Sequence, residues 1–198
     1  MSDLFYVHGI DKMYSPIKLS PSKLSQGKNI TGIARHVRDL TADIHANIQQ
    51  WNGLNLQGID YLKLIIHEKQ DKGYSENLQD LCDKLENICN NLDDIVKKLD
   101  EIKHQLKTIT ALQETPTKLF MNVSTSTFGE TAETIYEAYC EEAKIKRKVL
   151  ENVAHHHTES MDIFHLAAWT HQPSISDRLT TLLEVLLLET GLRSCGSE

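Results

Sequence analysis

The feature that most constrains this chain is a row of ten aliphatic residues between positions 78 and 109, spaced alternately by three and four. Such spacing places all ten on one side of an α-helix, where another helix has to cover them. The members of this aliphatic ladder are Leu78, Leu81, Leu85, Ile88, Leu92, Ile95, Leu99, Ile102, Leu106 and Ile109. The ladder predicts a long helix in a helical assembly, and a surface for protein binding rather than a cleft for chemistry.

A second helical pattern runs from 29 to 66, upstream of the ladder. Gly53 and Gly58 weaken its second half, each by about 1 kcal/mol relative to alanine, so we expect a kink or a break there. A short polar connection at 67–76 joins the two segments, and two helices of similar length joined in this way form an antiparallel hairpin. The alternation of Leu with Ile favours three- or four-helix packing, which predicts that further helices join the hairpin.

Residues 113–129 have a different pattern, which we interpret as an extended connector. We expect its apolar side chains to lie on a helical surface; they are Leu119, Phe120 and Val123. Thr127 and Glu130 fit the capping-box pattern T-x-x-E, which predicts the start of a third helix.

Two shorter helices are predicted after the third, which ends near the histidine run at 155–157. Pro173 ends the fourth helix, and Gly191 suits the left-handed residue that closes the fifth. We therefore predict an all-α protein, with a long antiparallel, coiled-coil-like hairpin followed by a bundle of short helices. The expected divisions are a flexible tail at 1–28, the hairpin at 29–112, the connector at 113–129 and a C-terminal helical region at 130–198.

The composition excludes several classes of partner. A net charge of −7 disfavours nucleic-acid binding through phosphate neutralisation. The longest dense apolar run, at 185–188, is far too short to span a bilayer, and the N-terminus lacks the features of a signal peptide. Four cysteines without a C-x-x-C pair indicate reduced thiols in an intracellular compartment. We therefore expect neither a membrane nor a nucleic acid as a direct partner.

Motifs for catalysis are missing from the sequence. It has no G-x-x-x-x-G-K-[ST] phosphate loop, no G-x-S-x-G elbow and no H-E-x-x-H pair. His155, His156 and His157 point in different directions on a helix, so they cannot chelate one ion together. A helix C-terminus, where imidazolium suits the helix dipole, is the simpler interpretation. We expect no enzymatic activity, no metal and no cofactor.

The remaining polar and aromatic clusters each allow two interpretations. The basic cluster Lys144, Lys146, Arg147 and Lys148 is either a solvated helix face or a functional patch, for nuclear import or for an acidic partner. Tryptophans such as Trp51 are more often core anchors than exposed contacts. Trp169 precedes a turn broken by proline, where its indole either packs in the core or faces a partner.

The N-terminal tail contains two complete S-P-x-K patterns, at Ser15 and at Ser20. This is the target pattern of proline-directed, cell-cycle kinases, because proline presents the serine in an extended backbone. Each phosphate would add nearly two negative charges to a locally positive tail. We predict that a cyclin-dependent kinase phosphorylates both serines.

Several blocks of this sequence resemble the cyclin-dependent kinase 2 interacting protein family, over roughly 30–62 and 118–192. The blocks are A-R-H-V-R-D at 34–39, then Ala42, Asp43, His45, Ile48, Trp51, Leu54 and Asn55, W-T-H-Q-P at 169–173, S-D-R-L at 176–179 and L-L-E-T-G at 187–191. Leu119-Phe120 and Lys146-Arg147 fall in the expected order between them.

The resemblance implies a non-enzymatic nuclear adaptor that links cyclin-dependent and Dbf4-dependent kinases to replication origins, binds checkpoint components and supports genome maintenance. It also implies a subunit of a hexameric AAA-type ATPase assembly, with a helical co-subunit, that acts in replisome turnover and maturation of the large ribosomal subunit. A hetero-oligomer is therefore expected. The residues assigned to partner binding are Trp51, Trp169, His171, Gln172, Pro173, Arg178, Glu189, Thr190, Arg35 and Arg38.

Two further expectations concern surfaces. We expect the ladder, or its flank, to hold a partner helix, because one hairpin leaves it incompletely covered. We also expect Leu182 and Leu186 to fix the turn at 169–173 from beneath. The alternative function is a self-associating coiled-coil scaffold without a specific client.

Overall fold

A computed structural model describes residues 32–72, 76–112, 120, 123–155 and 158–193 of the chain. Within these ranges all regular secondary structure is helical, which confirms the all-α class. The helices are α1 (Ile33–Lys72), α2 (Glu76–Ala111), α3 (Thr125–Val153), α4 (Glu159–His171) and α5 (Asp177–Glu189). The tail with Ser15 and Ser20, most of the predicted connector, and His156 and His157 lie outside the described residues.

The first three helices pack as an up-down-up bundle. α1 and α2 form the predicted hairpin, joined by a short connection. α3 packs against α2 in the opposite direction, since Lys107 of α2 pairs with Glu133 near the start of α3 and Asp93 pairs with Arg147 near its end. Two long neighbours therefore flank α2.

The fourth position of the bundle is filled by α4 and α5 together. Both lie against α1 and α3, and among the described residues neither contacts α2. α4 packs beside the second half of α1, where Trp169 reaches Asn55 and Gly58. Arg193, just after α5, lies near His45 of α1. The pKa of His45 is lowered mainly by burial and, to a smaller extent, by the positive charge of Arg193. The two short helices thus follow one another along the bundle.

The aliphatic ladder is covered by the chain itself. Nine of its ten residues are buried in the core, and Ile109 at the end of α2 is half-buried. The ladder itself therefore does not hold a partner helix, because α1 and α3 already occupy both sides of α2. The alternative, a partner helix on the flank of the ladder, stays a prediction. The expectation that further helices join the hairpin is confirmed.

Several helix boundaries differ from the predictions. α1 runs through Gly53 and Gly58 without a break. α3 begins at Thr125 rather than after 129, with Ser124 as its N-cap residue. The capping box therefore does not form: Thr127 lies inside the helix, and its hydroxyl is 2.9 Å from that of Ser124. Gly191 does close α5 with a positive φ of 67°, as predicted.

The part of the connector that the structure describes packs on the bundle. The rings of Phe120 and Phe128 are 5.2 Å apart, and Val123 also contacts the core. These two side chains lie on a helical surface as predicted, and Leu119 is outside the described residues.

Candidate functional site

The candidate site is centred on the turn between α4 and α5, at 169–173. Gln172 ends α4 in the left-handed conformation, with φ 45° and ψ 65°, which is uncommon for a residue other than glycine. Its side chain is buried, and its Oε1 accepts a hydrogen bond of 2.7 Å from the indole Nε1 of Trp51. A contact with α1 thus compensates for the unusual backbone conformation of the turn.

Lys146 of α3 lies at the centre of the site, with no part of its side chain exposed. Its ammonium donates to Oδ1 of Asn55 at 2.7 Å and to the carbonyl oxygen of Trp169 at 2.6 Å. It also lies 3.2 Å from a carboxylate oxygen of Glu142, one turn earlier on α3. One cation therefore joins α1, α3 and α4.

Glu142 carries the connection onward to the turn. This carboxylate is also fully buried, and its Oε2 accepts the backbone N–H of Ser174 at 3.0 Å. Burial lowers the pKa of Lys146 to about 8, and the nearby Glu142 carboxylate opposes that shift. The ammonium therefore stays predominantly charged at neutral pH, when it is needed to balance Glu142.

The two tryptophans form the apolar walls of the site. Trp169 donates from Nε1 to the carbonyl oxygen of Asn55 at 3.1 Å, and Lys146 lies 4.7 Å from the centre of its rings. Trp51 packs edge-on against Tyr139 at 4.9 Å. Both indoles are 0 % exposed. They are core anchors, and the interpretation in which Trp169 faces a partner is wrong.

A second buried ion pair holds the other end of α4. Lys69, near the end of α1, pairs with Asp162 and donates to the carbonyl oxygen of Val153 at 2.7 Å. Both charged side chains are almost completely buried. The start of α4 is therefore attached to the C-terminal ends of α1 and α3.

The side of α4 and α5 that faces away from α1 and α3 carries exposed apolar side chains. We define this outer face by Ile163, Phe164, His171, Pro173, Arg178, Val185 and Leu188, all of which are exposed. On α4 the apolar residues continue round the helix to the solvent side, a pattern typical of a helix that is covered on both sides. The outer face is thus a candidate contact surface.

A groove of about 460 Å³ lies between α2 and α3, on a different side of the bundle. Its lining residues are Asp93, Val96, Lys97, Cys140, Ala143, Lys144, Arg147, Lys148 and Glu151. Among the described residues, no three His, Cys, Asp or Glu side chains form a group that could hold a metal ion. No described helix is long and apolar enough to cross a membrane.

Comparison with known proteins identifies relatives that align with most of this chain. No family model matches the chain. It is 28 % identical to the cyclin-dependent kinase 2-interacting protein of Bos taurus, over 81 % of this chain and 90 % of the relative. The human protein of the same name is also 28 % identical, over 81 % of this chain and 91 % of the relative. In Xenopus laevis the identity is 35 %, over 35 % of this chain and 33 % of the relative.

Over most of its length, the chain is therefore similar to proteins named cyclin-dependent kinase 2-interacting protein. Its relatives are named as interacting proteins, not as enzymes, and this supports an interaction or adaptor role. The resemblance in sequence blocks is therefore confirmed by similarity over most of both chains.

The ten family positions assigned to partner binding fall into two groups in the structure. Four are buried inside the chain, so their side chains are not on its surface in this structure; they are Trp51, Trp169, Gln172 and Thr190. The hydroxyl of Thr190 donates back to the carbonyl oxygen of Leu186 at 2.8 Å. The other six are exposed or half-buried; they are Arg35, Arg38, His171, Pro173, Arg178 and Glu189.

The structure also separates the members of the predicted basic cluster. Lys146 points into the core, and Arg147 turns toward α2, where it donates to Asp93 and Asn90. Lys144 and Lys148 alone lie on the exposed side of α3. The interpretation as one solvated face is wrong for Lys146, because consecutive helical residues point about 100° apart.

The polar network was not predicted from the sequence, although the sequence contains a signal for it. Lys146 is three residues after Ala143 and three before Val149, and both of these are buried. Its position therefore matches the apolar spacing of α3, as does that of Glu142, three residues after Tyr139. A charged pair at core spacing, four residues apart, indicates a buried ion pair. Leu186 is buried and Leu182 half-buried, and their packing beneath the turn stays a prediction. The network holds the turn from α1 and α3.

Proposed function

We propose that this protein is a non-enzymatic nuclear adaptor in DNA replication and genome maintenance. It would link cyclin-dependent kinase, and an AAA-type ATPase assembly, to client proteins. The observation that carries the proposal is the 28 % identity to proteins named cyclin-dependent kinase 2-interacting protein, over about nine tenths of their length. The structure is compatible with it, since the buried charged groups of the candidate site connect helices to one another.

The outer face is the surface that we assign to a partner. Phe164 is 61 % exposed and Ile163 58 %, which is unusual for two adjacent large apolar side chains on an otherwise well-packed helix. The exposed positions His171, Pro173 and Arg178 lie on the same face, at the turn between the exposed apolar residues of α4 and those of α5.

Co-purification from growing cells tests both the partners and the surface. Tagged full-length chain should recover cyclin-dependent kinase 2 with its cyclin, and the AAA-type ATPase with its helical co-subunit. The variant Phe164→Asp should lose the partner that binds the outer face. Leu64→Asp is the matched control, because Leu64 is 51 % exposed on α1 and is not part of the outer face. Recovery of neither kinase nor ATPase by the unmodified chain would contradict the proposed function, and full recovery by Phe164→Asp would contradict the surface.

Phosphorylation of the tail gives the kinase link a second test. Purified cyclin-dependent kinase should transfer phosphate to Ser15 and Ser20 of the full chain, and the double variant Ser15→Ala/Ser20→Ala should take up none. Mass spectrometry of the tail peptides locates the phosphates. Phosphate at other positions only, or no phosphate at all, would contradict the prediction that the kinase phosphorylates the tail.

The predicted nuclear localisation has its own test. A fluorescent fusion of the chain should be concentrated in the nucleus, and its exclusion from the nucleus would contradict that localisation.

The alternative, a self-associating scaffold, makes a different prediction for the pure protein. Since nine of its ten residues are buried within one chain, the ladder is not available as the seam of a homotrimer or homotetramer. Sedimentation velocity should therefore show a monomer. A stable homo-oligomer would favour the scaffold.

A further inference from the structure

We propose that the groove between α2 and α3 binds an acidic peptide segment of a protein partner that carries an apolar anchor residue. The site is separate from the outer face, because neither α4 nor α5 contributes a lining residue. Its occupant would be a client or partner of the adaptor, and to that extent the inference rests on the proposed function.

The shape and lining of the groove suit a short segment. Its volume of about 460 Å³ lies within the range of about 300–1,000 Å³ that is typical of ligand sites. The apolar part of the lining is supplied by Val96, Cys140 and Ala143, from both helices. Ala143 is buried and the other two are half-buried, so an apolar side chain of the ligand would be removed from water there.

The charges around this apolar lining indicate an anionic ligand. Four of the nine lining residues are cationic and two are anionic, on a chain whose total charge is −7. Two of the four cations also pair with exposed carboxylates beside the lining. The cations are Lys97, Lys144, Arg147 and Lys148. A positive site on a negative protein attracts acidic segments selectively, since the remaining surface repels them.

The cations differ in how firmly they are held. Arg147 is fixed by Asp93 and Asn90 and forms a permanent part of the wall. Lys97 and Lys144 pair with Asp94 and Glu141 on their own helices, and all four side chains are well exposed. Exposed pairs of this kind contribute little, so an incoming carboxylate can take over either lysine at small cost.

Lys148 is the fourth cation. It is exposed and makes no ion pair with another described residue. We assign the first contact with the acidic segment to this side chain.

A nucleic acid is the other polyanion that four cations could attract, and the observations favour the peptide. Nucleic-acid affinity depends on neutralising many phosphates along a basic surface, and this chain has an overall negative charge. The exposed cations here surround an apolar lining with no aromatic side chain on which a base could stack.

Selection from a random-peptide display library tests the inference even though the partner is unidentified. The full chain is the bait, and the peptides that it enriches are sequenced. We expect acidic peptides that contain a Leu, Ile or Phe anchor. Their affinity, measured by fluorescence anisotropy, should fall about tenfold or more for the double variant Lys144→Glu/Lys148→Glu, because like charges then face the ligand.

The control variant is Lys63→Glu/Lys84→Glu, which changes the charge by the same amount outside the groove. Lys84 pairs with Asp80 as Lys144 pairs with Glu141, and Lys63, like Lys148, is exposed. Affinity for the selected peptides should hardly change in this control. Circular dichroism checks that both variants fold.

Three results would overturn the inference: enrichment of peptides that are not acidic, equal loss of affinity in both variants, or tighter binding of a single-stranded oligonucleotide than of any selected peptide. Failure here would leave the proposed function intact if the kinase or the ATPase still co-purifies. Conversely, selection of acidic peptides without either partner would support the groove and contradict the proposed function.

Discussion

Lys146 and Glu142, one turn apart on α3, form an ion pair in which neither side chain is exposed to solvent. Removing one partner of such a pair leaves the other charge buried without compensation, which costs about 3–5 kcal/mol. We therefore expect Lys146→Ala to lower the free energy of unfolding by about that amount, as measured by urea denaturation. Lys144→Ala, two residues away and exposed, should leave it almost unchanged. Equal effects of the two substitutions would contradict the structural role of Lys146.

Gly58 and Gly53 should respond to the same substitution with opposite signs. A β-carbon at Gly58 would lie 2.3 Å from Cζ2 of Trp169, whose ring is fixed by its own hydrogen bond. Forcing that ring to move costs typically about 1–3 kcal/mol, so Gly58→Ala should destabilise the fold. Gly53 has open space around it, and Gly53→Ala should stabilise the helix by about 1 kcal/mol. Thermal unfolding of both variants checks the prediction, which fails if both shift in the same direction.

Lys146 should titrate at an unusually low pH. Burial lowers its pKa to about 8, whereas the exposed Lys84 has its pKa raised by a hydrogen bond from its ammonium to Asp80. NMR titration of the lysine side chains should therefore show Lys146 losing its proton well before Lys84. A Lys146 midpoint as high as that of Lys84 would contradict the burial seen in the structure.

The lowered pKa also fixes the sign of a pH effect on stability. Between about 8 and 10.5 the native state has lost the Lys146 proton that the unfolded chain still holds. This group therefore makes the fold more stable as pH rises through that window. Cys89 acts in the opposite direction from pH 9 upward, because burial raises the pKa of its thiol to about 12. Urea denaturation in a Cys82→Ala/Cys89→Ala background removes both thiols whose pKa is raised by burial. Stability that falls as pH rises from about 8 to 10 in this background would contradict the lysine effect.

The ladder should not tolerate a charge at its centre. Leu92 and Leu99 are buried under both neighbouring helices, and an isolated carboxylate there costs several kcal/mol. We expect Leu92→Asp and Leu99→Asp to abolish folding, as seen by circular dichroism. Glu133→Lys is the control, because it replaces only an exposed partner of Lys107. A folded Leu92→Asp variant would contradict the burial of the ladder.

The elements that were predicted correctly are those that depend on local periodicity. The ladder defines α2 along its length, because a strict spacing of three and four matches the α-helical repeat and does not match the alternation of a strand. Gly191 was recognised because the need for a positive φ is a property of one residue. The break predicted at Gly58 does not occur, because helix propensity describes an isolated helix. In the folded chain, Gly58 lacks a side chain where Trp169 approaches α1.

The candidate site was harder to predict because its contacts are distant in sequence. Lys146 bonds to Asn55, 91 residues earlier, and Trp51 bonds to Gln172, 121 residues later. The sequence block 169–173 was recognised as important, but its tryptophan was open to two interpretations. The structure shows that the indole anchors the turn from inside, whereas its neighbours His171 and Pro173 are exposed.

Two short helices, rather than one long one, complete the bundle at its fourth position. This side of the bundle is therefore interrupted by the turn at Gln172, about halfway along its length. Trp51 of α1 and Lys146 of α3 hold the turn in place through hydrogen bonds. Among the described residues α4 and α5 do not pack against each other, so the turn at Gln172 is their direct connection. A substitution that removes the contacts of Lys146 would therefore destabilise the packing of both α4 and α5. A substitution on the exposed side of either helix would affect that helix alone.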